Sequence, residues 1–100
     1  MNKLSVKQKI VETGVVPVIR VANADEARRA IDAIKAGGID IFEVTMTVPD
    51  AVSLIENLAS RYGEMDTLIG AGTVLTAAAR ACINAGAGFV ISPALNLETI

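Results

Sequence analysis

The sequence predicts an α/β chain of parallel βα repeats, at most the first half of a (β/α)8 barrel. Three observations lead there. Four short β-branched runs alternate with amphipathic helical patterns, their starts recur roughly every 20–30 residues, and two glycine-to-strand phrases, AGGIDIFEV and AGAGFVISP, repeat. Alternating units of this size build parallel sheets through right-handed crossovers. A closed barrel needs roughly 200 residues or more and this chain has 100, so a small open four-stranded α/β sheet fits the pattern as well.

The strand runs are VVPVIR at 15–20, IDIFEVTMT at 39–47, TLIGAG at 67–72 and FVIS at 89–92. A leading helix over Ser5 to Thr13 is predicted ahead of them, with Ser5 as its N-cap. Between the first two strands, Asn23 followed three residues later by Glu26 forms a capping-box variant. Ala27, Ala30, Ile31 and Ile34 then recur at helical spacing before Gly37 and Gly38 stop the helix. Pro49 suits a first helical position, and Val52, Leu54, Ile55 and Leu58 give the next apolar stripe, to about Arg61. A third crossover helix spans Thr76 to Ala85 and ends at Gly86, and Asn96 offers the N-cap of a fourth.

Composition narrows the function. With 52% hydrophobic and 20% charged residues the chain is expected to fold as one domain around a real core. A net charge of −2, no basic tract and 3% aromatic residues exclude the electrostatic and stacking features of a nucleic-acid binder. No apolar run has the length of a membrane span and the amino end carries no export-type apolar region, so a cytoplasmic protein with no membrane partner is expected. The chain has one cysteine and no histidine, which leaves a bound metal without its usual ligands; Cys82 reads as a small core residue.

The chemistry-bearing residues gather at strand ends. Side chains alternate along a strand, so Ile41, Glu43, Thr45 and Thr47 share one face while Phe42, Val44 and Met46 share the other. The second set suits helix packing. In a barrel the first set lines the interior, with Val18, Ile41 and Val90 as its expected apolar members, and turns polar toward the C-terminal ends where such folds build active sites. Arg20, Thr73 and Ser92-Pro93 end the other three strands in the same manner. Each has a plainer reading. Ser92 can cap a turn, Thr45 can satisfy its hydroxyl within the sheet, and the glycines before Thr73 can serve a tight turn as readily as a ligand's approach.

VVPVIR, GGIDIFEVTMT, IGAGTVL and FVISP, in this order and spacing over about residues 10–97, resemble the 2-keto-3-deoxy-6-phosphogluconate (KDPG) and 4-hydroxy-2-oxoglutarate aldolases. The resemblance implies a (β/α)8 barrel, usually a homotrimer, that cleaves a keto-acid phosphosugar to pyruvate and glyceraldehyde 3-phosphate through a lysine Schiff base, with no cofactor or metal. Residues 1–100 then form a single segment, the N-terminal half of the aldolase domain. The resemblance carries the catalytic glutamate onto Glu43, a pyruvate-contacting threonine onto Thr73 and the strand-four turn onto Pro93; Thr45 and Thr47 fall among the substrate-binding positions.

Two features depart from the family pattern. Where many members read EVTLR, this chain reads EVTMT, so Thr47 replaces an arginine that helps hold the substrate carboxylate; Arg20, on the neighbouring strand, is the candidate substitute. The Schiff-base lysine belongs to a later strand, and Lys3, Lys7, Lys9 and Lys35 read as solvated charge or, for Lys35, a helix C-terminal cation. Two further readings stand beside the aldolase: a half-barrel that self-associates without catalysis, and another phosphosugar-binding barrel enzyme.

Overall fold

The computed structural model describes residues 2–94, so the helix start expected at Asn96 lies outside the described residues. Helix α1 (Lys3–Thr13) precedes strand β1 (Val18–Ile19), α2 (Ala24–Ala36), β2 (Ile41–Thr45), α3 (Ala51–Tyr62), β3 (Leu68–Gly72), α4 (Thr76–Ala85) and β4 (Phe89–Val90). The strands form one parallel sheet in the order β1-β2-β3-β4, the arrangement right-handed βα crossovers dictate.

The helix starts follow local hydrogen-bonding chemistry. Asn23 Oδ1 accepts from Glu26 N at 2.9 Å, while the Glu26 carboxylate accepts from Ala22 N at 3.2 Å, one residue earlier than in the usual reciprocal box. The cap of α1 is Asn2, not Ser5: Asn2 Oδ1 accepts from Ser5 N at 2.8 Å, which places Ser5 inside the first turn. Pro49 likewise lies before α3 rather than in it, because the chain turns at Asp50, the N-cap, whose φ of 54° is left-handed. The outer strands are shorter than the sequence runs. Still, Pro17 O accepts from Glu43 N at 2.9 Å and Ile91 N donates to Ala71 O at 2.8 Å, so their ladders extend past the regular pairs.

The register assigns every strand residue to a face. Val44 pairs with Ile19 and Ala71, and these three, with Phe42, Ile69 and Val90, pack against α2, α3 and α4 through Ile31, Leu54, Ile55, Leu58 and Cys82. The opposite face carries Val18, Glu43, Gly70 and Phe89 in register across the sheet. Val90 was expected on this inner face, but the register turns it toward the helices and puts Phe89 inward. Helix α1 closes the N-terminal pole of the inner face by packing Val6 on Ile41 and Leu68.

That pole is also pinned by Lys9, expected to be solvated, and Lys35, expected to be a helix C-terminal cation. Lys35 Nζ donates to Asp40 Oδ1 at 2.6 Å and to Thr67 Oγ1 at 2.7 Å, and lies 5.3 Å from the centre of the Tyr62 ring. Tyr62 in turn donates to Asp32, to which Arg61 also donates at 3.3 Å. Lys9 donates to the backbone oxygen of Asp66 and stands 3.6 Å from its carboxylate, which ties α1 to the loop before β3. Lys9 through Asp66 and Lys35 through Thr67 each reach a distant part of the chain, whereas Asp40, the ionic partner of Lys35, is five residues away.

Cys82 is fully buried on α4, its thiol 3.6 Å from Met46 Sδ, and burial pushes the thiol pKa up. The native thiol is thus expected to resist alkylation that proceeds readily once the chain is unfolded; equal rates in the two states would contradict this packing. The linkage follows from the raised folded pKa. The thiol's contribution to stability is complete below the unfolded value, about pH 8.5, and is lost as pH rises through the folded one. Stability should decline less steeply above pH 8.5 in Cys82→Ala than in the parent, as measured by denaturant titration.

Candidate active site

The sheet's C-terminal pole collects the polar residues. Glu43 sits in the middle of β2, 9% exposed, with Val18 and Gly70 beside it in register. Its side chain runs toward the strand's C-terminal end and lies across Gly72: a Cβ on Gly72 would be 1.7 Å from Oε1 and 2.5 Å from Cδ. The carboxylate can reach this position because β3 presents bare backbone there. Among the described residues no side chain or backbone group hydrogen-bonds to the carboxylate.

One step further along β2, Thr45 is fully buried and pairs in register with Gly72. Its hydroxyl is 2.6 Å from that of Thr47, which is exposed. Continuing the β1–β2 register past Ile19 brings Arg20 level with Thr45; Arg20 is exposed and forms no ion pair among the described residues. Thr73 follows Gly72 directly and has a φ of 54°, an unusual left-handed conformation for a β-branched side chain. Strain of this kind is retained where surrounding structure enforces it, often at ligand sites. Here Val74 N donates to Ile91 O at 3.0 Å, locking the Thr73 turn against the end of β4.

Pro93 is exposed two residues beyond Ile91. Ser92 has the plainer of its two readings, since its hydroxyl donates to Ala94 O at 2.8 Å and is spent on its own turn. The structure therefore brings Glu43, Thr45, Thr47 and Thr73 to one pole around Gly72, with Arg20 and Pro93 at the flanking strand ends. Neither Asp40, paired with Lys35 at the far pole, nor Asp50, capping α3, joins them.

A concavity also opens elsewhere. A groove of about 710 Å3 opens at the N-terminal pole, lined among others by Lys9, Glu12, Asp66, Thr67 and Gly88. Its size reflects the space between α1 and the loops preceding β3 and β4. The Glu43 carboxylate lies at the opposite pole, over Gly72. Among the described residues no group of three or more His, Cys, Asp or Glu side chains could hold a metal ion, and no helix is long and apolar enough to cross a membrane.

Sequence reading missed two features here. The contact of Gly72 with Glu43 needs the β2–β3 register, and the inward place of Phe89 needs that of β3–β4. The signal for both was the GAG spacing itself, glycines two apart on one strand face.

Comparison with known proteins bears on the family and the fold. The family model described as KDPG and KHG aldolase matches residues 6–100. A 2-dehydro-3-deoxy-phosphogluconate aldolase of Haemophilus influenzae is 38% identical over 94 residues, covering 93% of this chain and 43% of its own length. A KHG/KDPG aldolase of Escherichia coli K12 is 41% identical over 90 residues, covering 88% and 41%. The crystal structure of KDPG aldolase from Legionella pneumophila, with pyruvate captured as a covalent carbinolamine, superposes with a TM-score of 0.76 at 38% identity, over 84% of this chain and 40% of that one. The chain spans about two fifths of the length of these relatives. With its four parallel βα units forming part of a barrel, the chain belongs to the KDPG and KHG aldolase family.

Proposed function

We propose that residues 1–100 are the N-terminal half of a class I aldolase domain that cleaves 2-keto-3-deoxy-6-phosphogluconate to pyruvate and glyceraldehyde 3-phosphate, with 4-hydroxy-2-oxoglutarate as a second substrate. The observation that carries this reading is Glu43, a carboxylate on the inner face of the sheet that lies over Gly72 toward the strand-end pole and makes no hydrogen bond among the described residues. The reaction needs a group of this kind. A lysine amine adds to the substrate ketone and water leaves, the carbon–carbon bond breaks as the adjacent hydroxyl loses its proton, and the resulting enamine regains a proton before hydrolysis frees pyruvate. Glu43 is the group that takes and returns those protons.

The amine comes from a lysine outside residues 1–100. Lys9 and Lys35 are occupied at the opposite pole, and Lys3 and Lys7 are exposed on α1. Thr73 contacts the pyruvate portion, Thr45 and Thr47 offer their hydroxyl pair to the substrate, and Pro93 shapes the strand-four side. Arg20 supplies the guanidinium for the substrate carboxylate in place of the arginine replaced by Thr47, a role supported by its level with Thr45 and its lack of an ion-pair partner among the described residues. The assembly is a cytoplasmic homotrimer that requires no metal or cofactor.

In the full-length protein, Glu43→Gln is expected to lower turnover by ~10²–10⁴-fold while borohydride still traps part of the pyruvate imine. Unchanged turnover would remove Glu43 from the mechanism. Arg20→Met should raise the Michaelis constant by about 10–150-fold, the value of a charged hydrogen bond of roughly 1.5–3 kcal/mol. An unchanged constant would leave Arg20 as a solvated strand end.

The isolated 1–100 chain should release no pyruvate from substrate and form no borohydride-trapped adduct at Lys3, Lys7, Lys9 or Lys35, in any oligomer it forms. Val18, 50% exposed on the inner face, and the unpaired edges of β1 and β4 favour association over a monomer in that isolated chain. An adduct on any of the four lysines would contradict the assignment of the chemistry to a later one, and a well-folded monomer in sedimentation would contradict the packing argument.

A further inference from the structure

We infer that Gly72 is a positioning residue for the Glu43 carboxylate, aiming it at the substrate by leaving a gap in the side-chain layer of β3. The inference rests on the acid–base role proposed for Glu43. Glu43 lies in register with Gly70, not Gly72, so its side chain must lean along the strand to lie over the next inward position. That position is open only because residue 72 has no Cβ. With one present, Oε1 would be 1.7 Å away, Cδ 2.5 Å and Cγ 2.8 Å, and all three atoms belong to the glutamate.

The two glycines of the GAG turn are thereby separated in role. A Cβ on Gly70 would meet the Phe89 ring, with Cζ at 2.1 Å. That ring packs with the Val6, Ile41 and Leu68 cluster, so substitution there disturbs the core. At Gly72 the obstructing atoms are the mobile end of a side chain, and the residue's φ is not in the left-handed range. Alanine fits the strand backbone at residue 72 once the glutamate swings aside. The fold survives and the aim of the carboxylate is lost, and displacement of a reacting group by about 1 Å can cost ~10²-fold in rate.

The test is a mutant cycle in the full-length enzyme using Gly72→Ala, Glu43→Gln and the double variant, with turnover, Michaelis constant and thermal midpoint measured for each. The expected result is a fall in kcat of about 10–100-fold for Gly72→Ala with KM changed less than about threefold, and a double variant no slower than Glu43→Gln alone within about twofold. Independent action of the two residues would instead multiply the losses, and would overturn the inference. So would Gly72→Ala with parental kcat while Glu43→Gln is impaired. A Glu43→Gln enzyme with parental turnover refutes the acid–base reading itself, and the positioning role falls with it. If Gly72→Ala does not fold, Glu43→Ala/Gly72→Ala decides: recovery of folding shows that the added methyl meets only the glutamate, and continued failure shows that it meets something else and ends the proposal.

Discussion

Two glycines on β3 leave the inward face of this sheet without side chains at adjacent inward positions, and what fills those positions determines the rest. Phe89 from β4 fills the space over Gly70 and Glu43 from β2 fills that over Gly72. Neither filling is local: each depends on a parallel register between strands separated by a helix. The apolar filling continues into the cluster beneath α1, and the charged one opens toward the strand ends. A single strand face thus grades from core to chemistry over a few residues.

The charges at the two poles are used differently. At the N-terminal pole Lys35, Asp40, Thr67, Tyr62, Asp32 and Arg61 satisfy one another and join the ends of α2 and α3 to the starts of β2 and β3. Burial, then the hydrogen bond that Tyr62 donates to Asp32 and the charge of that carboxylate, raise the Tyr62 pKa, so its hydroxyl stays a donor through the ordinary pH range. At the C-terminal pole Arg20 and Glu43 form no such pairs among the described residues. Among the described residues the two poles of the sheet thus differ, one held by paired charges and the other carrying charges without such pairs.

Much of this was legible in the sequence for physical reasons that can be named. The period-two alternation of IFEVT separates Phe42 and Val44 from Glu43 and Thr45 with no knowledge of neighbouring strands, and Gly37 and Gly86 end their helices by backbone chemistry alone. What failed was non-local or a matter of one residue. Val90 and Phe89 exchange faces if the strand is counted from the wrong end, and FVIS carries no polar residue inside the run to fix the count. Asn2 outcompetes Ser5 as the cap because the helix begins earlier than its apolar pattern does. Lys35 looked like a helix-end cation, and the helix stop that suggested this also brings Asp40 back within its reach.

The central claim is that the substrate's pyruvate portion sits over the inner face at the C-terminal pole, within reach of Glu43 and far from the lysines of this segment. A crystal structure of the full-length protein after borohydride reduction with pyruvate tests it most directly. The account predicts a reduced adduct on a lysine beyond residue 100, with the Glu43 carboxylate lying over Gly72 at hydrogen-bonding distance from the adduct and Thr73 beside it. An adduct at the N-terminal groove beside Lys9, or one at the C-terminal pole with Glu43 turned away from it, would contradict the account.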